Sequence, residues 1–337
     1  MSIDVLKEDL KSKKLRNLYL FYGQEEFLKK YYIDNLQKDI LENDLSSLNK
    51  IVLEGKFDMQ KIEDACETLP VFSEKKLVLV RNSGMFKSGK DGSKQQSVKD
   101  NLLNYLKNIP DYTVLVFYEE EIDKRLKTVD AVKKNGLIVE FPFQKPAELV
   151  KWVTKVFKSH KKEISNEDAS CLIEICEQGM TEILNEVKKL VMFVGERINI
   201  TIEDIEKVCT KSIKSRIFDL TDAVAEKNLD KALNLLNDMI ILREPLPKIL
   251  FMITRQLRHV LEMKLLCKEG YSIKDASAKI GIAPFAGGKV ANQAKSFSEE
   301  KLKEGIKEAF ELDLAIKTGR INDRVAAELL INKLAFS

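Results

Sequence analysis

The sequence predicts an α/β domain built on a parallel sheet, followed by two all-α regions. Three observations lead there. Short apolar runs alternate with helical segments between Leu18 and Phe141. After Phe141-Pro142-Phe143 no further strand run occurs. From Ser212 onward apolar residues recur only at helical spacing. Strands that are apolar throughout and separated by helices belong to parallel sheets covered on both faces. A chain of 337 residues holds about two or three domains. The boundaries fall at 1–142 for the sheet domain, 143–211 for a small helical domain and 212–337 for a helical bundle.

The elements follow in order. Ile3 to Leu15 reads as a short charged helix, and Leu18 to Tyr22 (LYLFY) as the first buried strand. Gly23-Gln24-Glu25-Glu26 then leads into a helix from Phe27 to about Leu41. Ile51 to Glu54 is the second strand, Asp58 to Thr68 a helix, and Leu77 to Arg81 the third strand. Ser83 to Gln96 is rich in Gly, Ser and Lys, the composition of a mobile loop. A helix from Val98 to Asn108, the β-rich run Tyr112 to Tyr118, a helix from Lys124 to Asn135 capped by Gly136, and the strand Leu137 to Phe141 complete the domain.

Pro146 opens a helix bearing Trp152, at the position where proline fits a first turn. Ser165 with Asp168, and Thr201 with Asp204, have capping-box spacing. Between them Thr181 to Val194 is a helix ended by Gly195. The bundle shows four stripes, led by Leu236, Ile253, Ile306 and Leu330. Phe310 lies in the third stripe, Val325 and Leu329 in the fourth. Gln256 and Asp313 interrupt their stripes, either as partnered buried groups, the favoured reading, or as interface positions.

The stretch Ala65 to Asn82 (ACETLPVFSEKKLVLVRN) joins a helix to a strand through Leu69, Pro70, Val71 and Phe72. Pro70 disfavours helix at Leu69, so the chain turns there. Val71 and Phe72 have two readings. They fold back as core, as most apolar pairs do, or they form an exposed wedge for a partner's pocket. The residues alone leave both open.

Composition narrows the function. Lys and Arg number 56 against 53 Asp and Glu, for a net charge of +3. Such a balance points to no polyanionic partner by itself. The five cysteines, at 66, 171, 176, 209 and 267, include no CxxC pair. They fit reduced thiols in the cytoplasm rather than a disulfide framework or a zinc site. The first residues lack a signal peptide's apolar core. No apolar run reaches the ~18 residues that span a membrane.

Several motifs carry less than their spacing suggests. Gly84 to Asp91 has G-x-x-x-x-G-K spacing through Lys90, but Asp91 stands where Ser or Thr would ligate Mg²⁺. It reads as a solvated loop. The loop after the first strand, Phe21 to Leu28, has Gly23 as its one glycine, no lysine, and Glu25 and Glu26 to oppose a triphosphate. This describes a nucleotide-binding architecture unable to hold nucleotide, with no cofactor and no metal expected. Lys317-Thr318-Gly319 ends a bundle helix rather than lying on a strand, so it is no hydrolase triplet. His160 and His259 lack partners for catalysis. Lys151, Lys155, Lys158, Lys161 and Lys162, with Trp152 and Phe157 interleaved, form a solvated helix face or a contact to a phosphate backbone.

Taken together, LYLFYGQEEFL (18–28), ETLPVFSEKKLVLVRN (67–82), LNEVKKLVMF (184–193) followed by TIEDIEKV, IFDLTDAV (217–224) and ELDLAIKTGR (311–320) resemble the delta subunits of bacterial DNA polymerase III clamp loaders. The resemblance implies an AAA+-like first domain with a degenerate phosphate loop around Gly23, a helical lid and a helical collar. It also implies an apolar pair, here Val71 and Phe72 with Leu69 and Pro70 beside it, that binds the sliding clamp. The role implied is to open the clamp for loading on primed DNA, without ATP hydrolysis, as part of the polymerase III holoenzyme. The implied partners are the clamp, ATP-binding tau/gamma-type and delta-prime subunits met through the collar, and primed DNA, with no membrane. Two alternatives of other classes are a P-loop ATPase using Lys90 and a DNA-binding adaptor using the helix around Lys155.

Overall fold

The computed structural model describes residues 2–40, 48–55, 59–88, 99, 101–282 and 284–336. It divides into two units.

The first unit comprises Met1–Lys145 and Gln178–Thr181. Its elements are α1 (Ser2–Lys11), β1 (Leu18–Tyr22), α2 (Glu26–Ile40), β2 (Lys50–Glu54), α3 (Met59–Glu67), β3 (Lys76–Arg81), a helical stretch at 101–105, β4 (Thr113–Glu119), α4 (Lys127–Asn135) and β5 (Leu137–Glu140). The five strands form one parallel sheet in the order β2-β3-β4-β1-β5. β1 and β4 are buried at every position, as their unbroken apolar runs require.

Side-chain alternation splits the core into two layers. Leu18, Leu20, Val78, Val80, Leu115 and Phe117 face one way, onto Ile62 and Cys66 of α3 and Val129 and Val132 of α4. Tyr19, Phe21, Leu77, Leu79, Val114 and Val116 face the other, onto Leu6 of α1 and Tyr32, Ile33 and Leu36 of α2. This is the sheet covered on both faces that the alternating apolar strands and helices predict.

The second unit comprises Pro146–Glu177 and Glu182–Ser337. It contains α5 (Pro146–Ser159), β6 (Glu163–Ile164), α6 (Asn166–Ile175), most of α7 (Met180–Val194), β7 (Asn199–Ile200) and α8 (Ile202–Val208). The bundle follows with α9 (Ile213–Ala225), α10 (Leu229–Ile241), α11 (Leu246–Lys268), α12 (Ile273–Ile280), α13 (Pro284–Ser296), α14 (Glu299–Lys317) and α15 (Asp323–Phe336). The parallel pair β6–β7 corrects the expectation of no further strand. Two residues per strand are too few to display a period.

The caps follow the sequence reading. Ser165 Oγ accepts the Asp168 N–H at 2.9 Å, and Asp204 Oδ2 accepts the Thr201 N–H at 3.0 Å. Gln256 is buried in the bundle and donates to Gln293 Oε1 at 2.7 Å, and Gln293 donates to Thr221 Oγ1 at 2.9 Å. Asp313 differs, being half-buried and paired with Lys317 on its own helix. Phe310, Val325 and Leu329, expected within the stripes, are exposed.

Two glycines are fixed by close approach. Gly136 follows α4 with an extended backbone rather than a left-handed one, and a Cβ there would lie 2.3 Å from the Leu18 carbonyl oxygen. Gly23 has φ +121°, and a Cβ would lie 2.3 Å from the Phe141 carbonyl oxygen. Gly23→Ala is therefore expected to destabilise the chain by at least about 2 kcal/mol, from strain and overpacking together. Gly55, at φ +87° with open space around it, carries the strain alone. Urea midpoints should rank Gly55→Ala as the milder change; equal losses would contradict the packing at Gly23.

Candidate protein-interaction site

α3 buries Met59, Ile62, Ala65 and Cys66 and runs toward the end of the sheet where the strands begin. A helix end leaves carbonyls without intrahelical partners. Here three successive carbonyls are taken by side chains at the starts of β3 and β4. Thr113 Oγ1 donates to the Cys66 oxygen at 2.7 Å, and Tyr112 OH to the Glu67 oxygen at 2.9 Å. The buried Lys76 ammonium donates to the Thr68 oxygen. Burial pushes the Lys76 pKa below that of an ordinary lysine.

The chain leaves this anchored turn through the predicted corner. Leu69 is 69% exposed, Val71 40% and Phe72 81%, with Pro70 half-buried between them. These side chains are not core. Asn49, just before β2, accepts the Val71 N–H and donates to the Val71 carbonyl, both at 2.7 Å. Phe72 has φ +53°, a left-handed conformation uncommon for a residue with a side chain. Ser73 Oγ donates to the Lys75 oxygen at 3.0 Å on the far side.

The loop around Gly23 lies at the opposite end of the sheet, after β1. Its amides are engaged within the first unit. Gly23 N–H donates to the Glu120 oxygen and Glu25 N–H to the Phe141 oxygen, each at 3.0 Å. Phe27 N–H donates to Glu25 Oε1 at 3.3 Å. The buried Glu25 carboxylate also accepts the Met180 N–H, 3.2 Å from each oxygen. A phosphate would need such amides turned outward.

The expectation of a loop without lysine is corrected by Lys29, which follows Leu28 at the seventh position counted from Gly23, where G-x-x-x-x-G-K places its lysine. Lys29 is fully buried, 2.5 Å from Glu26 Oε1, 3.2 Å from the Glu119 carbonyl and 4.5 Å over the Tyr118 ring. Nearby, Ser83 donates its N–H to the buried Glu119 carboxylate at 2.9 Å. Burial raises the Glu119 pKa against the lowering effect of these hydrogen bonds.

Lys151, Lys155 and Lys158 are exposed on one face of α5, at i, i+4 and i+7, with Lys151 3.6 Å from Glu148. Their expected companions differ. Phe157 is core, and Lys162 is buried, donating to the Arg197 carbonyl at 2.7 Å. Gly89, Lys90 and Asp91 of the Walker-like string lie outside the described residues, as does most of the expected loop 83–96. Among the described residues no cluster of His, Cys, Asp and Glu could hold a metal, and no helix is long and apolar enough to cross a membrane.

These features define an α/β protein with a five-stranded parallel sheet that exposes an apolar tip at one end of the sheet and engages the amides of its first loop within the chain at the other. Two family models match, "DNA polymerase III, delta subunit" over residues 19–142 and its C-terminal domain over 214–334, together well over half the chain. The chain belongs to the DNA polymerase III delta subunit family. The delta subunit of Bacillus subtilis is 28% identical, across 99% of this chain and 97% of that protein. The probable delta subunit of Aquifex aeolicus is 22% identical, over 85% and 82%. A solved structure of the Bacillus subtilis DNA clamp loader delta protein matches all of both chains with a TM-score of 0.57 at 25% identity.

Lys76 gives the anchored turn a pH signature. Its folded pKa lies below the ordinary 10.5. Between the two values the unfolded chain holds more protons, so stability rises with pH through that window. Lys76→Met removes the rise. As pH rises toward 10.5, the urea midpoint of the wild type should gain on that of Lys76→Met; parallel curves would mean that Lys76 is not buried as a cation.

Proposed function

We propose that this clamp-loader delta subunit of DNA polymerase III binds the sliding clamp through Leu69, Pro70, Val71 and Phe72. Binding opens the ring for loading on primed DNA during replication. The observation that carries the reading is the exposure of Phe72 on an anchored turn. A large aromatic side chain presented to solvent by a fixed backbone suits the anchor of a protein interface. The tip favours the clamp conformation in which its pocket and the adjoining subunit interface are parted. Its differential affinity for that conformation shifts the closed–open equilibrium.

The chain performs no chemistry of its own in this reading and takes no cofactor. The engaged amides at Gly23 and Glu25 and the pairing of Lys29 with Glu26 support this. ATP-binding tau/gamma-type subunits supply the nucleotide cycle, and they and a delta-prime subunit meet this chain through the collar, 212–337. The helical segment 143–211 serves as the lid. The assembly works in the cytoplasm. Primed DNA touches the chain within the assembly through Lys151, Lys155 and Lys158, a reading favoured by their shared exposed face.

Phe72→Ala is expected to weaken clamp binding by at least 2 kcal/mol, about thirtyfold, in calorimetric titration. Unchanged affinity would remove the tip from the interface. The isolated chain with ATP and Mg²⁺ should give no binding heat; a saturable isotherm would support the ATPase alternative instead. Replacing Lys151, Lys155 and Lys158 by Ala should lower the salt dependence of primed-DNA binding by the assembled loader by about one unit of slope per lost phosphate contact. An unaltered slope would leave these lysines as a solvated face.

A further inference from the structure

The tip is presented by a backbone whose local sequence does not favour it. Phe72 sits in the left-handed region, where a Cβ is disfavoured. The residue before it, Val71, is gripped by a side chain distant in sequence. Asn49 is 2% exposed, and its amide is matched to one residue's backbone, accepting the Val71 N–H and donating to the Val71 carbonyl at 2.7 Å each. The contact reproduces what a neighbouring strand would offer, with one side chain in place of a ladder. It also uses both polar ends of a buried amide that would otherwise be penalised for losing water.

We propose that Asn49 is the positioning residue of the clamp-contacting tip. It fixes the Val71 backbone so that Phe72 is already aimed outward in the free chain. The clamp then need not order the turn on binding, and the affinity that ordering would subtract is retained. This rests on the clamp-binding reading of the tip.

The test is a double-mutant cycle on the full-length chain, titrated with the sliding clamp from the same genome. The proteins are wild type, Asn49→Ala, Asn49→Asp, Phe72→Ala, Asn49→Ala/Phe72→Ala and Asn49→Asp/Phe72→Ala. Asn49→Asp keeps the acceptor for the Val71 N–H but sets a carboxylate oxygen against the Val71 carbonyl. Each Asn49 variant is expected to weaken binding about five- to tenfold. The double variant should lose less than the sum of the two single losses, because Asn49 acts through the tip that Phe72 anchors. Hydrogen exchange on the free proteins should show faster exchange at Val71 in Asn49→Ala with β3 protection intact. A purely structural role would not produce that pairing.

If Phe72→Ala loses affinity while both Asn49 variants bind like wild type, the positioning role is wrong and the tip reading stands. Additive losses in the double variant also overturn it. If Phe72→Ala itself binds like wild type, the tip reading fails first. Should Asn49→Ala lose β3 protection, the cycle is read with Asn49→Asp, on the same criteria.

Discussion

The last turn of α3 is held by polar groups beneath it, and this lets apolar groups stand above it. Three carbonyls that a helix end leaves open are met by Thr113, Tyr112 and Lys76, all at the beginnings of neighbouring strands. Of these, the Cys66 carbonyl is in a buried bond, and without a partner it would carry a desolvation penalty comparable to a lost hydrogen bond. With them satisfied, the chain can turn at Pro70 and expose Leu69, Val71 and Phe72 without loosening the sheet. The Lys76 ammonium is a costly way to cap one carbonyl, since burial disfavours its charge. Its position as the first residue of β3 ties the tip directly to the sheet.

The two ends of the parallel sheet have taken different roles. Where the strands end, the loop after β1 spends its amides on Glu120 and Phe141 and turns Lys29 toward Glu26, Tyr118 and the Glu119 carbonyl. The Glu25 carboxylate accepts the Met180 amide, an anion supplied by the chain itself at a helix start. Where the strands begin, the polar groups are used to fix a turn instead. One sheet thus carries an engaged loop at one end and an anchored, exposed turn at the other, which is the sense of the function proposed for it.

Much of the architecture was legible because its signals were strong. β1 and β4 are unbroken apolar runs, and their burial on both faces left no other pattern available. Capping at Ser165 and Thr201 was equally direct. The β6–β7 pair was not legible, since two-residue strands have no period. Phe310, Val325 and Leu329 have helical spacing yet face solvent, because spacing assigns a residue to a face and not that face to a core. At the site, Leu69 to Phe72 were identified from the broken helix and the proline, but their exposure depended on packing. Asn49 carried no local signal at all, lying far upstream of the residue it grips. Lys29 has the spacing of the motif's lysine, but Leu28 stands before it where the motif has glycine.

The central claim is that Phe72 stands in solvent on a rigid turn and becomes buried only against a partner. Fluorine NMR of the chain with 4-fluorophenylalanine at position 72 tests it directly. The account predicts one narrow, solvent-sensitive resonance in the free chain, which shifts and loses its sensitivity to D₂O when the sliding clamp is added. A resonance already insensitive to solvent in the free chain, or one that the clamp leaves unmoved, would contradict it.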